Sequence, residues 1–144
     1  MATRELACLS VCTRCRPADF IGTDIERPGY RLAAALLQDS CVETMPVRLR
    51  GIHCMSQCKR PCVVALSAPK KFTLVFGDLS PDTDHPAVLA LAEQYASSTD
   101  GLVPRPERPA CLRASILGRI PPLDYEGELL VPKFNLPLGK ERTI

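Results

Sequence analysis

Five cysteines carry the chemistry that this sequence offers. Cys12-Thr13-Arg14-Cys15 is a C-x2-C pair, and Cys54-Met55-Ser56-Gln57-Cys58 is a C-x3-C pair with Cys62 after three more residues. A thiolate is at once a nucleophile, a redox group and a soft metal ligand. Four of them hold a zinc ion or an iron–sulfur cluster. The expected quartet is Cys12, Cys15, Cys54 and Cys58, with Cys62 able to replace one of the first pair. Zinc ribbons usually repeat C-x2-C across about 15–20 residues. Here the second unit is C-x3-C, and 38 residues separate Cys15 from Cys54. The wider C-x3-C reach suits one iron of a binuclear cluster, so a [2Fe–2S] cluster is expected ahead of zinc.

Charge agrees with a bound anion. Residues 44–77 contain no Asp or Glu, but they include Arg48, Arg50, Lys59, Arg60, Lys70 and Lys71, and Arg14 and Arg16 flank the first pair. A [2Fe–2S] unit with four thiolates is anionic, and more so when reduced, so cations beside it raise its potential. Arg14, Lys59 and Arg60 are the expected charged surroundings. A solvated basic face would give the same composition. Nucleic acid is not an expected partner, because the cysteine loop offers no aromatic side chain for base stacking.

Other readings of the same residues are weaker. A thiol–disulfide oxidoreductase would use Cys12 and Cys15, but its C-x-x-C normally opens a helix that lowers the thiol pKa. Here Pro17, Asp19 and Gly22 follow, and the helical pattern starts only near Arg27. Cys8 shares the face of Cys12 on a strand and reads as a small buried hydrophobe. Cys41 and Cys111 have no cysteine at ligand spacing. His53 could be an imidazole ligand, although it would point away from Cys54 on extended backbone, and His85 is explained by a helix start. With no Ser-His-Asp set, phosphate loop or carboxylate pair, no catalytic residue is assigned. An electron-transfer or metal-binding protein is expected rather than an enzyme.

The elements that must position these residues are legible as patterns. Residues 6–12 read as a strand and 27–38 as a helix, with Pro28 in the first turn and Leu32, Leu36 and Leu37 at helical spacing. Strands are expected at 47–52, 63–66 and 72–76, the last two joined by a hairpin link at 67–71. A second helix covers 85–97, with Asp84 as cap, Pro86 in its first turn, and Val88, Leu91, Ala92 and Tyr95 as its apolar stripe. The order β-α-β-loop-β-β-α predicts an α/β fold. Its small mixed sheet has four strands: a parallel first pair, a terminal hairpin, and two helices on one face. Both cysteine groups then leave the ends of neighbouring strands on one rim. Residues 1–103 form the metal- or cluster-binding domain. Residues 104–144, with seven prolines, form an extension that wraps the same domain, with one short ordered element at 113–119.

Bulk properties set the context. A chain of 144 residues with 46% hydrophobic and 24% charged residues is one ordinary globular domain, and a net charge of +2 selects no class of partner. Residues 1–9 lack the apolar core of a signal peptide, and no apolar run approaches about 18 residues. A reducing cytoplasm is therefore expected, where clustered cysteines bind metal rather than form disulfides. The expected partner is a redox protein, with no membrane; a homodimer stays open.

Several segments together resemble a known family. They are Thr13-Arg14-Cys15-Arg16, His53-Cys54-Met55-Ser56-Gln57-Cys58-Lys59-Arg60-Pro61-Cys62, Phe76-Gly77-Asp78-Leu79, Asp100-Gly101, Glu107-Arg108-Pro109 and Arg119-Ile120-Pro121-Pro122. Across residues 6–122 the chain is similar to the bacterial family DUF1636 of predicted metal-binding proteins. More distantly, the element order and the C-x3-C loop resemble the thioredoxin-like [2Fe–2S] ferredoxins, which place two ligands after the first strand and two before a terminal hairpin. That resemblance implies a thioredoxin-like fold and a ferredoxin-like electron carrier or cluster-bearing accessory protein. Two departures from it, the narrower first pair and the extra Cys62, leave zinc or soft-metal handling open. The family resemblance also points to cobalt or cobalamin metabolism as the setting of that alternative.

Overall fold

A computed structural model describes residues 7–136. The expected strand start at Leu6 and the last part of the extension, 137–144, lie outside the described residues. Five strands form one mixed sheet: β1 (Ala7–Cys12), β2 (Val47–Ile52), β3 (Val64–Ser67), β4 (Thr73–Phe76) and β5 (Ile116–Ile120). Their spatial order is β2-β1-β3-β4-β5. β1 and β2 are parallel, and every other pairing is antiparallel. The helices α1 (Pro28–Gln38) and α2 (His85–Ser97) both pack on β1 and on each other, so they share one face of the sheet.

Alternation along β1 divides inside from outside. Ala7, Leu9 and Val11 join Leu66, Leu74 and Phe76 in the core beneath Leu32 and Leu36 of α1 and Val88, Leu91 and Ala92 of α2. On the opposite face, Arg50 Nε donates to Ser10 Oγ at 2.7 Å. Two expectations are corrected. The sheet has a fifth strand where the sequence shows only a short ordered element at 113–119, because Gly118 interrupts its alternation and Pro121 and Pro122 follow it. Both are compatible with an edge position, where a strand needs only one neighbour. Asp84 does occupy the position before α2, but its carboxylate accepts from Ser80 N (2.7 Å) rather than capping the helix. Among the described residues no helix is long and apolar enough to cross a membrane.

Tyr95 ties α2 to the hairpin. It is fully buried, and its hydroxyl donates to Phe72 O at 2.6 Å. Tyr95→Phe leaves that carbonyl without its partner and should cost about 1–3 kcal/mol in urea denaturation. Burial pushes the Tyr95 phenol from 10.0 up to about 12. Because the folded value is raised, the stability it contributes is whole below pH 10 and is lost as pH rises through 12. The gap between wild type and Tyr95→Phe should therefore narrow across that window.

Candidate metal centre

Cys12 ends β1 and stands in register with Ile52, the last residue of β2. Both chains thus leave the sheet on one rim, as the helical crossover predicts. Thr13 fixes that exit, since its amide (2.9 Å) and hydroxyl (3.2 Å) both donate to Ile52 O. Cys62 reaches the same rim just before β3, where Cys12 N donates to Val63 O at 3.0 Å. Its backbone is held by two hydrogen bonds exchanged with Leu79, each 3.3 Å.

The rim sorts its five cysteines into two groups. Cys12, Cys15 and Cys62 are buried, each 3% exposed or less. Burial pushes the Cys15 thiol well above its ordinary range, and a hydrogen bond with Cys12 adds to the effect. Burial likewise pushes Cys62 up to about 12. These shifts run opposite to the lowered thiol of a disulfide-exchange centre. They also mean that ligation here would release protons, because a metal binds the thiolate.

Cys54 and Cys58 are exposed. They line a cleft of about 900 Å³ together with His53 and the cations Arg14, Arg16, Arg27 and Lys59. Cys54 Sγ accepts the amide of Ser56 at 3.4 Å, a contact made possible by the left-handed backbone of Ser56 (φ 57°). That N–H fixes the orientation of the sulfur, as a hydrogen bond to a metal ligand does. Among the described residues, no three His, Cys, Asp or Glu side chains converge closely enough to hold a metal ion. The donor set still fits a soft metal or a cluster in its chemistry: five thiols on one rim, a sulfur with a built-in amide donor, and cations around it.

The remaining candidates separate clearly. Arg60 lies outside the cleft lining and makes a forked pair with Asp78, donating Nε to both carboxylate oxygens (3.0 and 2.8 Å) and Nη2 to Oδ2. That guanidinium holds the Asp78 carboxyl below its usual range, and the Arg60 charge is correspondingly spent. Lys70 and Lys71 sit at the far end of β3, where Lys71 Nζ donates to Tyr95 O (3.1 Å) and Ala96 O (3.0 Å) at the C-terminus of α2. Arg14 and Lys59 remain at the cleft, joined by Arg16 and Arg27. Cys8 is half-buried within β1, and Cys41 and Cys111 are exposed, outside the cleft lining.

Two glycines position the rim: Gly77 belongs to a segment that carries the family resemblance, whereas Gly29 did not stand out in the sequence. Gly29, in the first turn of α1, lies against the first cysteine pair, its amide donating to Cys15 O at 3.0 Å. A Cβ there would meet Cys12 O at 2.2 Å and Cys15 N at 2.8 Å. At Gly77 a Cβ would meet Arg60 O at 2.7 Å. That contact explains the Phe76-Gly77-Asp78-Leu79 segment, which buttresses the loop carrying Cys62. The usable signal was a glycine in a helical first turn, where helix propensity alone disfavours it.

Comparison with known proteins agrees with this architecture. A solved structure of a thioredoxin-like [2Fe–2S] ferredoxin from Aquifex aeolicus has a TM-score of 0.51 at 16% identity, covering 84% of this chain and 99% of that one. The fold is thus a thioredoxin-like α/β fold. The chain itself belongs to DUF1636, a family of proteins of unknown function whose model matches residues 9–122. A further structure, of the wild-type thioredoxin-like [2Fe–2S] ferredoxin from Aquifex aeolicus, has a TM-score of 0.44 at 20% identity, covering 67% of this chain and 90% of that one. No curated protein matches the chain.

Proposed function

We propose that this protein is a ferredoxin-like electron carrier or accessory protein that binds a [2Fe–2S] cluster through its rim cysteines. The observation that carries the proposal is the gathering of Cys12, Cys15, Cys54, Cys58 and Cys62 on one rim beside a cationic cleft. The likeness in fold to a protein named as a [2Fe–2S] ferredoxin supports it. The ligands would be Cys12, Cys15, Cys54 and Cys58, with Cys62 standing in for one of the first pair. When bound, the cluster supplies one-electron chemistry. The chain supplies thiolates, burial on the Cys12 side, and the Arg14 and Lys59 charges on the open side. A redox protein docking on that rim would be the partner, in a reducing compartment such as the cytoplasm.

A second reading, binding of zinc or another soft metal, draws on the buried trio. Cys12, Cys15 and Cys62 are all buried at this rim, and a single tetrahedral ion would need these three thiols to draw together and take one further ligand. Anaerobically purified protein separates the two readings by elemental analysis. Stoichiometric iron with acid-labile sulfide supports the cluster, whereas stoichiometric zinc without sulfide refutes it.

A further inference from the structure

The Glu107-Arg108-Pro109 and Arg119-Ile120-Pro121-Pro122 segments do not line the cysteine cleft. They contribute instead to a second cavity, of about 340 Å³, between β4, β5 and residues 102–108. Its walls combine apolar Leu74, Leu102 and Ile116 with the guanidinium-bearing residues Arg105, Arg108 and Arg119. No carboxylate is among its lining residues.

Arg108 is the telling residue. It is only 7% exposed, and its Nε has no hydrogen-bond partner among the described residues. Its guanidinium lies over the Phe76 ring, 5.8 Å from the centroid, an attraction that offsets part of the cost of burying a cation. The backbone around it is fixed from two sides. Gln94 Nε2 of α2 donates to Glu107 O at 2.6 Å, and Arg113 Nε donates to Arg108 O at 3.1 Å. Burial, and then the charge of Arg105, lower the affinity of Arg108 for its proton, as expected of a cation with no counter-ion among the described residues. A fold that holds a buried guanidinium in place, beside two more and with no acid among the described residues that line the cavity, is complementary to an anion.

We propose that this cavity binds a small organic anion: a carboxylate or phosphate monoester with an apolar body. The arginines fork onto the anionic head, and Leu74, Leu102 and Ile116 receive the body. A cavity of this size is at the small end of ligand sites, which limits the ligand to about the bulk of one ring or a short chain. Because none of these residues lines the cysteine rim, the proposal stands or falls independently of the cluster.

Calorimetric titration and thermal melts of the full chain test it, with benzoate, phenyl phosphate, benzyl alcohol and inorganic phosphate as probes. Benzoate and phenyl phosphate should bind, compete with each other and raise the melting temperature. Benzyl alcohol should not bind, and inorganic phosphate should bind at least about tenfold more weakly than phenyl phosphate. Arg119 is exposed, so Arg119→Gln should keep the fold while weakening benzoate by about tenfold or more. Arg108→Met should abolish binding and raise the melting temperature of the ligand-free protein, because it removes a buried charge that has no counter-ion among the described residues. Should that variant fail to fold, Arg105→Gln takes its place with the same expected loss of benzoate. Failure of both anions to bind at millimolar concentration, or unchanged affinity in Arg119→Gln, would overturn the proposal. So would benzyl alcohol binding as well as benzoate, or inorganic phosphate matching phenyl phosphate.

Discussion

Alanine in place of Gly29 is expected to destabilise the protein by about 2 kcal/mol or more, against the direction that helix propensity predicts. In the exposed interior of a helix the same change would stabilise by up to about 1 kcal/mol. Gly29 instead sits where the new methyl group would lie 2.2 Å from Cys12 O, 2.8 Å from Cys15 N and 3.0 Å from Cys15 Cβ. Two of those atoms are backbone, fixed by the end of β1 and by the Gly29–Cys15 hydrogen bond, so they cannot move as a side-chain tip could. Relief requires α1 and the first cysteine pair to separate. The variant should therefore lose metal-binding capacity together with stability. Gly118→Ala is the matched control, since a Cβ there meets nothing within 4 Å. Its unfolding free energy in urea should stay within about 0.5 kcal/mol of wild type, the range of an ordinary surface change. Equal midpoints for the two variants would show that Gly29 does not hold the rim.

The second large effect concerns the ligands. Cys54→Ser or Cys58→Ser should remove the bound metal, whereas Cys41→Ser and Cys111→Ser should retain it. The exposed pair is the informative one. Both residues lie at the surface, so serine there changes the donor without burying a new hydroxyl. Serine at Cys12, Cys15 or Cys62 would bury a hydroxyl in the core and lower stability whatever the metal does. Metal content measured by elemental analysis should thus fall in the first two variants with little change in the urea midpoint of the metal-free protein. Equal metal content across all five rim-cysteine variants would contradict a defined thiolate site.

Much of this arrangement is legible in the sequence because it rests on local pattern. The stripe of Val88, Leu91, Ala92 and Tyr95 and the Pro28 start announce the helices, and a helix between two strands dictates a parallel pair with both ends on one rim. What stayed hidden depends on contacts between distant segments. Arg60 is drawn to Asp78, 18 residues away, so a charge that composition assigns to the cysteines is neutralised elsewhere. The separation of Cys62, which is buried, from the exposed Cys54 and Cys58 of the same loop accompanies the Cys62–Leu79 backbone pairing, which no spacing rule contains. Gly29 and Gly77 matter for what touches them rather than for their own conformation. β5 was legible only as a short ordered element at 113–119 and not as a strand, because an edge strand of five residues with a central glycine carries almost no periodic signal.

The central claim, a redox-active cluster held by the rim cysteines, meets its most direct test in one experiment: reduction of the anaerobically purified protein with dithionite, followed by visible absorption and electron paramagnetic resonance. A [2Fe–2S] cluster predicts that the visible bands bleach and that a half-integer-spin signal appears on reduction. Zinc has no accessible redox step. A preparation that is colourless, does not change with dithionite and stays silent in the resonance spectrum while carrying stoichiometric zinc would contradict the account.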